Sequence, residues 1–296
     1  MKKYYWMAML LSAVMLGGNA HAQERVGDFT LIDHKGDPHY LSRYGWADAL
    51  VIISQASGCE LNHRNIARYK VIRTNFEHEN IAFVMMNSSV DDNRESIRAE
   101  DAVWDYEHPI MIDRTQLVAE SLGIEYAGQV VVVEPSRGNI LYRGPVDIEG
   151  GQEGGMQAGS GEGVFTLLED LVAGELDPAN ADLMEVEMEP ADGCALDFPA
   201  RDRHMAETPD YATEVAPILI ERCVGCHVEG GIGPFAMNSH QMVQGWSPMI
   251  REVIMTQRMP PMQVDPDVNH WYNSGNMPVE EIQTLIHWIE AGAPRE

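Results

Sequence analysis

Cys223, Cys226 and His227, in Cys223-Val224-Gly225-Cys226-His227, are the residues whose types and spacing most directly imply chemistry. Two thiols three positions apart lie about one helical turn apart. At that separation each can add across one of two neighbouring vinyl groups, and the adjacent imidazole can then face the metal those groups surround. C-x-x-C-H is therefore read as a covalent attachment site for one haem c, with His227 as an axial ligand. The competing readings are half a zinc site or a redox dithiol. No second C-x-x-C and no H-x-x-x-H follows downstream to complete a zinc site.

A haem that transfers electrons needs a second axial ligand, and a thioether sulfur raises its potential. Met259, in Met259-Pro260-Pro261-Met262, is the first candidate, because the two prolines stiffen the loop that would present its sulfur. Met277 precedes Pro278 and the closing helix and is the alternative, followed by His270 and Met262. With 18 methionines in the chain, any single one is more often core filler than ligand. The Pro234 carbonyl is expected to accept the Nδ1 proton of His227 and orient its ring.

The rest of the chain must position these residues. Lys2 and Lys3, an apolar run from Tyr4 to Leu16, and Ala20-His21-Ala22 read as a signal peptide over 1–22. The apolar run is short for a membrane span, so no span is expected after cleavage. Export places the protein in the periplasm, where haem c is completed and disulfides persist. Without Lys2 and Lys3, 18 basic residues stand against 46 acidic ones, a net charge of −28. That excludes nucleic acid as a partner, since phosphate binding depends on positive charge. It favours a redox partner with a basic docking patch.

Short apolar runs at 50–53, 81–86, 109–112, 129–133 and 140–143 alternate with helical patterns at 61–76, 92–104 and 114–122. This order predicts an α/β sheet with helices on its faces. Residues 148–163 are Gly-rich and read as a surface loop, and 164–173 as a helix. Residues 177–211 are Pro- and acid-rich, a strap with a linker at 201–211. From 212 to 296 the pattern is all-helical. Helices are read over 213–222 and, from Ser247 as N-cap, to Gln257. A last helix opens at Pro278, with Ile282, Leu285, Ile286 and Ile289 on one face.

Val215-Ala216-Pro217-Ile218, Cys223 to His227, Gly233-Pro234-Phe235, Arg258 to Pro261, Trp288-Ile289 and Gly292-Ala293-Pro294 carry a family resemblance. The segment is similar to the cytochrome c-like module found beside redoxin and copper-dependent monooxygenase domains. The chain ends at Glu296, so monooxygenase activity is not implied. Residues 23–200 resemble the thioredoxin-like redoxin family. The resemblance rests on Val26 to Phe29, Ser57-Gly58-Cys59 before a helix, Pro109 to Asp113, and Gly138 to Gly144. It implies an α/β thioredoxin-like domain joined to a small all-α cytochrome c-like domain.

The redoxin resemblance places Cys59 at the nucleophile's position, where a helix N-terminus favours thiolate and His63 lies one turn on. Several family features are missing. Asn62 stands where a dithiol needs its second cysteine, Ile52 and Ala56 where a peroxidatic site needs Pro and Thr or Ser, and Gly128 where a cis-proline is expected. Ordinary dithiol exchange and peroxidase chemistry are therefore not expected. Cys194 corresponds to a Gly-Cys that follows the last redoxin helix in such fusions. With Cys59 it forms the remaining pair, structural or redox-active. The expected role is haem-based electron transfer. The alternative is a thiol oxidoreductase or peroxidase using Cys59 with Cys194, or a non-catalytic subunit of a redox assembly.

Overall fold

Two seven-residue strands rich in Val, Ile and Met build the middle of the molecule, because strands buried on both faces need mainly apolar side chains. The computed structural model describes residues 23–146, 163–188, 193–268 and 271–295. The proposed leader (1–22), nearly all of the Gly-rich loop, and His270 lie outside these residues. In chain order the α/β part contains β1 (Thr30–Asp33), β2 (Pro38–Tyr40), β3 (Ala49–Gln55), α1 (Glu60–Phe76) and β4 (Ile81–Asn87). Next come α2 (Arg94–Trp104), β5 (Ile110–Ile112), α3 (Leu117–Leu122), β6 (Tyr126–Ala127), β7 (Gln129–Glu134) and β8 (Asn139–Pro145). It closes with α4 (Val164–Ala173), β9 (Met184–Glu185) and β10 (Cys194–Ala195).

The large sheet has the order β2-β1-β5-β4-β3-β7-β8-β9. Strand β3 runs parallel to β4 and antiparallel to β7, which pairs antiparallel with β8. A βαβ unit followed by two antiparallel strands and a helix is the thioredoxin-like arrangement that the resemblance implied. The β1–β2 hairpin at the edge was not legible as strands. Its turn forms because Asp33 Oδ1 accepts the backbone N–H groups of Lys35, Gly36 and Asp37 at 2.8, 2.8 and 2.9 Å. Gly36, at φ +102°, supplies the left-handed residue of that turn.

Beyond these strands every described element is helical: α5 (Pro199–Ala206), α6 (Ala216–Leu219), α7 (His240–Met255) and α8 (Val279–Glu290). Wider π-type turns, Tyr211–Val215 and Ile220–Val224, flank α6, so the helix read at 213–222 is longer at both ends. The linker read at 201–211 is corrected in its first half: Pro199 opens α5 at a position where its missing N–H costs nothing. His204 on α5 and His287 on α8 meet at 2.8 Å between their Nδ1 atoms. The reading of Ser247 as an N-cap is also corrected, since Ser239 caps α7 and Pro248 lies inside it. Pro248 cannot donate to the Gln244 carbonyl, and the Ser247 hydroxyl donates to it instead at 2.8 Å.

The two parts share a core. One face of the sheet (Leu50, Ile52, Val131) belongs to a single buried cluster with Val215, Leu285 and Trp288. The opposite face (Val51, Ile53, Val132) packs with Tyr69 and Phe76 of α1 and Leu168 of α4. Among the described residues no helix is long and apolar enough to cross a membrane.

At the end of β5, Asp113 is fully buried, and burial pushes its carboxyl up to about 6. Its Oδ2 accepts from Ala119 N at 2.9 Å and Ser88 Oγ at 3.2 Å. An acid whose pKa is raised on folding is better accommodated protonated. Its contribution to stability therefore falls as pH rises from the unfolded value near 4 through 6. Asp113→Asn should lack this dependence. Relative to the parent it should gain about 2–3 kcal/mol between pH 4 and pH 7, read from urea unfolding at each pH.

Candidate functional site

Cys59 follows the tight turn Ala56-Ser57-Gly58, in which Gly58 takes φ +76°, and precedes α1 as its N-cap. It is disulfide-bonded to Cys194, with a Cα separation of 6.0 Å. The partner strand is short. β10 pairs antiparallel with β6, Cys194 opposite Ala127 and Ala195 opposite Tyr126, and Leu196 N donates to Glu125 O at 2.9 Å. The strap thus lies beside Gly128 at the mouth of the thioredoxin-like site. Gly128, at φ +93°, replaces the expected proline, and a Cβ there would meet Leu61 Cδ2 at 2.3 Å.

Two carboxylates reach the turn that precedes Cys59. Ser57 N donates to Asp92 Oδ2 at 2.9 Å and Gly58 N to Glu100 Oε1 at 3.1 Å, which places two carboxylates on the turn. Although burial raises it, hydrogen bonds from Asn87 and Ser57 hold the Asp92 carboxyl below its usual range. His63, expected to assist Cys59, instead places Nε2 2.5 Å from Glu100 Oε1 and stacks on Trp104 with ring centres 4.0 Å apart. Asn62, where a second cysteine would stand, is buried. It donates to Ser54 O at 3.0 Å and accepts from Ala56 N at 3.3 Å. These positions serve the fold and not a dithiol.

In the helical part, Cys223 and Cys226 are free thiols on a helical turn, with Cys226 N and His227 N donating to Cys223 O at 3.1 and 2.9 Å. Burial pushes the Cys223 thiol up to about 11, whereas Cys226 is exposed. Arg222 grips Glu281 of α8 through Nε and Nη2 at 2.7 and 2.9 Å, fixing the motif against the closing helix. His227 Nδ1 donates to the Phe235 carbonyl at 3.0 Å. The acceptor expected at Pro234 lies one residue further on, because Gly233 N already bonds Cys226 O and Met237 N bonds His227 O, closing the loop around the ring. A Cβ at Gly233 would lie 2.7 Å from His227 Nδ1, so only glycine admits the ring there.

This arrangement fits a haem c. With Nδ1 protonated and occupied, Nε2 keeps its lone pair for a metal. Both thiols are free for thioether formation. The helical part also exposes Ile220, Val228, Ile232, Met242, Met249 and Trp271. Among the described residues no group of three or more His, Cys, Asp or Glu could hold a metal ion.

Met259 and Met277 line one cavity of about 320 Å³ between the α/β and helical parts, and neither the two cysteines nor His227 borders it. Met277 is buried; Met259 is 41% exposed and so the freer to turn. The structure therefore brings the two methionines together, on a common loop, but does not set either against His227. Sequence reasoning missed Phe235 and Trp246, which stack at 4.5 Å beside His227. The signal was present in Phe235 following Gly233-Pro234, but nothing linked it to Trp246.

Comparisons with known proteins bear on the α/β part. No protein-family model matches the chain, and no curated protein matches it. Among solved structures it is similar to an uncharacterized conserved protein from Geobacillus kaustophilus, at 18% identity over 60% of this chain and 91% of that one, with a TM-score of 0.48. A hypothetical protein from Sinorhizobium meliloti 1021 is 18% identical over 59% of this chain and 92% of that one, with a TM-score of 0.46. The thioredoxin domain of a thiol-disulfide oxidoreductase from Bacteroides vulgatus is 15% identical over 51% of this chain and 98% of that one, with a TM-score of 0.40.

Proposed function

We propose that this protein is a periplasmic monohaem c-type electron carrier whose thioredoxin-like part is a disulfide-tied scaffold. The observation that carries the reading is His227, with Nδ1 donating to the Phe235 carbonyl and Nε2 left free, directly after two unbonded cysteines. Cys223 and Cys226 would each form one thioether: the sulfur bonds one vinyl carbon and the thiol hydrogen goes to the other, with no net oxidation. His227 would hold the iron through its ring nitrogen, and Met259, with Met277 as the alternative, is the proposed sulfur ligand. When bound, the haem stores and releases one electron. The chain's own part is to hold the ring of His227, exclude water with the Phe235–Trp246 pair, and present an acidic surface.

That surface, 46 acidic residues against 20 basic over the whole chain, favours a basic redox partner. Reduction of the matured protein by a lysine-rich donor protein should slow on the order of tenfold between ~0.01 and ~0.3 M salt. Alkylation by iodoacetamide should leave the rate unchanged, since no free thiol remains once the haem is attached. A salt-independent rate, or one abolished by alkylation, would count against the proposal.

A second reading, a thiol-disulfide oxidoreductase using Cys59 and Cys194, is favoured by one observation: the bond joins a helix N-terminus to a short strap strand at the mouth of a thioredoxin-like site. Under that reading a small dithiol opens the bond readily, and the protein then reduces disulfides at a rate proportional to the dithiol. The carboxylates of Asp92 and Glu100 at the turn argue for the scaffold instead.

A further inference from the structure

A second cleft, of about 610 Å³, lies where α3, α5, α7 and α8 converge, and none of Cys223, Cys226 and His227 borders it. Glu120, His204 and His287 line it, together with Arg25, Arg201 and Arg251. The first three form a hydrogen-bonded chain. His287 Nε2 lies 2.9 Å from Glu120 Oε2, and His287 Nδ1 lies 2.8 Å from His204 Nδ1. At the far end Arg203 Nη2 lies 3.4 Å from His204 Nε2. Both rings are buried.

The two ends of this chain fix the protons within it. A guanidinium only donates, and an ionised carboxylate only accepts. His287 Nε2 therefore carries a proton for Glu120, and His204 Nε2 keeps its lone pair toward Arg203. It follows that His204 Nδ1 donates and His287 Nδ1 accepts, with both rings neutral. One polar need is left unmet in this state. Glu120 Oε1 is buried, and among the described residues no donor reaches it. The carboxylate therefore gains from positive charge that arrives on His287.

A proton from the cleft lands on His204 Nε2, the lone pair at the end of the chain. Burial, His287 and Arg203 all disfavour a cation there and hold the His204 pKa below its usual value. A base whose pKa falls on folding favours the folded state while neutral, so acid withdraws that support. Passing the Nδ1 proton across the 2.8 Å contact relieves the conflict. His204 is then neutral with its proton on Nε2, and His287 is cationic against Glu120. The bond between the rings survives with its direction reversed. A second proton finds no such outlet, because two cationic rings would face each other as donors only. The surrounding charges do not absorb it. Arg201 is held by Glu125, Arg251 by Glu290, and Glu214 accepts from Asp210 N, while Arg25 adds a further cation.

We infer that Glu120, His287 and His204 form a proton relay that stores one proton and unfastens α5 when it receives a second. The relay ties α5, the helix of the strap, to α3 of the α/β part and to α8 of the helical part. Its residues lie outside the haem motif, so it stands apart from the haem reading.

The test uses the isotope-labelled full-length protein between about pH 8 and about pH 4, a range that spans histidine titration. Histidine tautomers are read by long-range proton–nitrogen correlation, and hydrogen-exchange protection is read over 199–206. At the alkaline end His204 should carry its proton on Nδ1 and His287 on Nε2. The first proton should move the His204 proton to Nε2 and leave the protection of α5 unchanged. The second should lower that protection on the order of tenfold. H204N keeps an amide near the Nδ1 position but cannot take up a proton, so its α5 protection should stay level across the range. In E120Q the carboxylate is gone, and the first proton should enter at lower pH. A His204 ring protonated on Nε2 at the alkaline end would overturn the inference, as would the same acid loss of protection in H204N. Should H204N fail to fold, the tautomers and protection of the parent decide the matter alone.

Discussion

Replacing both Cys59 and Cys194 with serine is expected to lower the unfolding free energy by about 5 kcal/mol, because the bond closes a loop spanning 135 positions of sequence. The loss would come mainly from the greater freedom of the unfolded chain, so it should appear in urea unfolding as a lower midpoint with a steeper slope, because the unlinked chain exposes more surface. Glutathione should leave the bond intact in the parent, as expected of a structural disulfide. The haem spectrum of the variant should be unchanged at temperatures where it remains folded. A loss below about 1 kcal/mol, or haem reduction that depends on the two cysteines, would assign them a redox role.

Removing the imidazole should have the larger functional effect. If the haem proposal holds, the iron in His227→Ala should lose its nitrogen ligand, and the Phe235 carbonyl loses its donor. The optical spectrum should change from low-spin to high-spin, and electron transfer with a partner should fall sharply. Free imidazole added to the variant should restore the low-spin spectrum, since the alanine leaves a space of the ligand's own shape. A His227→Ala protein with an unaltered spectrum would show that another residue holds the iron.

Much of the α/β architecture was legible because its elements are apolar, long and well punctuated. The helix read at 164–173 coincides with Val164–Ala173, bounded by Gly163 and Gly174. The runs at 50–53, 81–86 and 129–133 lie inside β3, β4 and β7. Elements whose stability comes from partners far along the chain were not legible. β1 and β2 need an Asp33 turn and a sheet edge, and β6 and β10 are two residues each, held by one another and by the disulfide. Ser247-Pro248 looked like a helix start because the local rule favours it, but the apolar face of α7 begins earlier and a serine hydroxyl repairs the proline's gap.

The candidate site divides in the same way. Cys223, Cys226 and His227 are contiguous, so their relation was written in the sequence. Cys59 and Cys194 could be paired only through the resemblance and the lack of other partners. The helix N-terminus read at Cys59 did not reveal Asp92 and Glu100, which bond the preceding turn from positions more than 30 residues along the chain. The contacts of His287 with His204 and Glu120 join residues more than 80 positions apart, and no local pattern announces them.

The central claim is that Cys223 and Cys226 hold one haem covalently. Its most direct measurement is the pyridine haemochrome of exported, matured protein after acid-acetone extraction, set beside C223S/C226S. Haem that stays with the parent polypeptide at one per chain, and is absent from the double variant, is the expected result. Pigment that passes into the acetone, or a colourless parent protein carrying zinc, would contradict it.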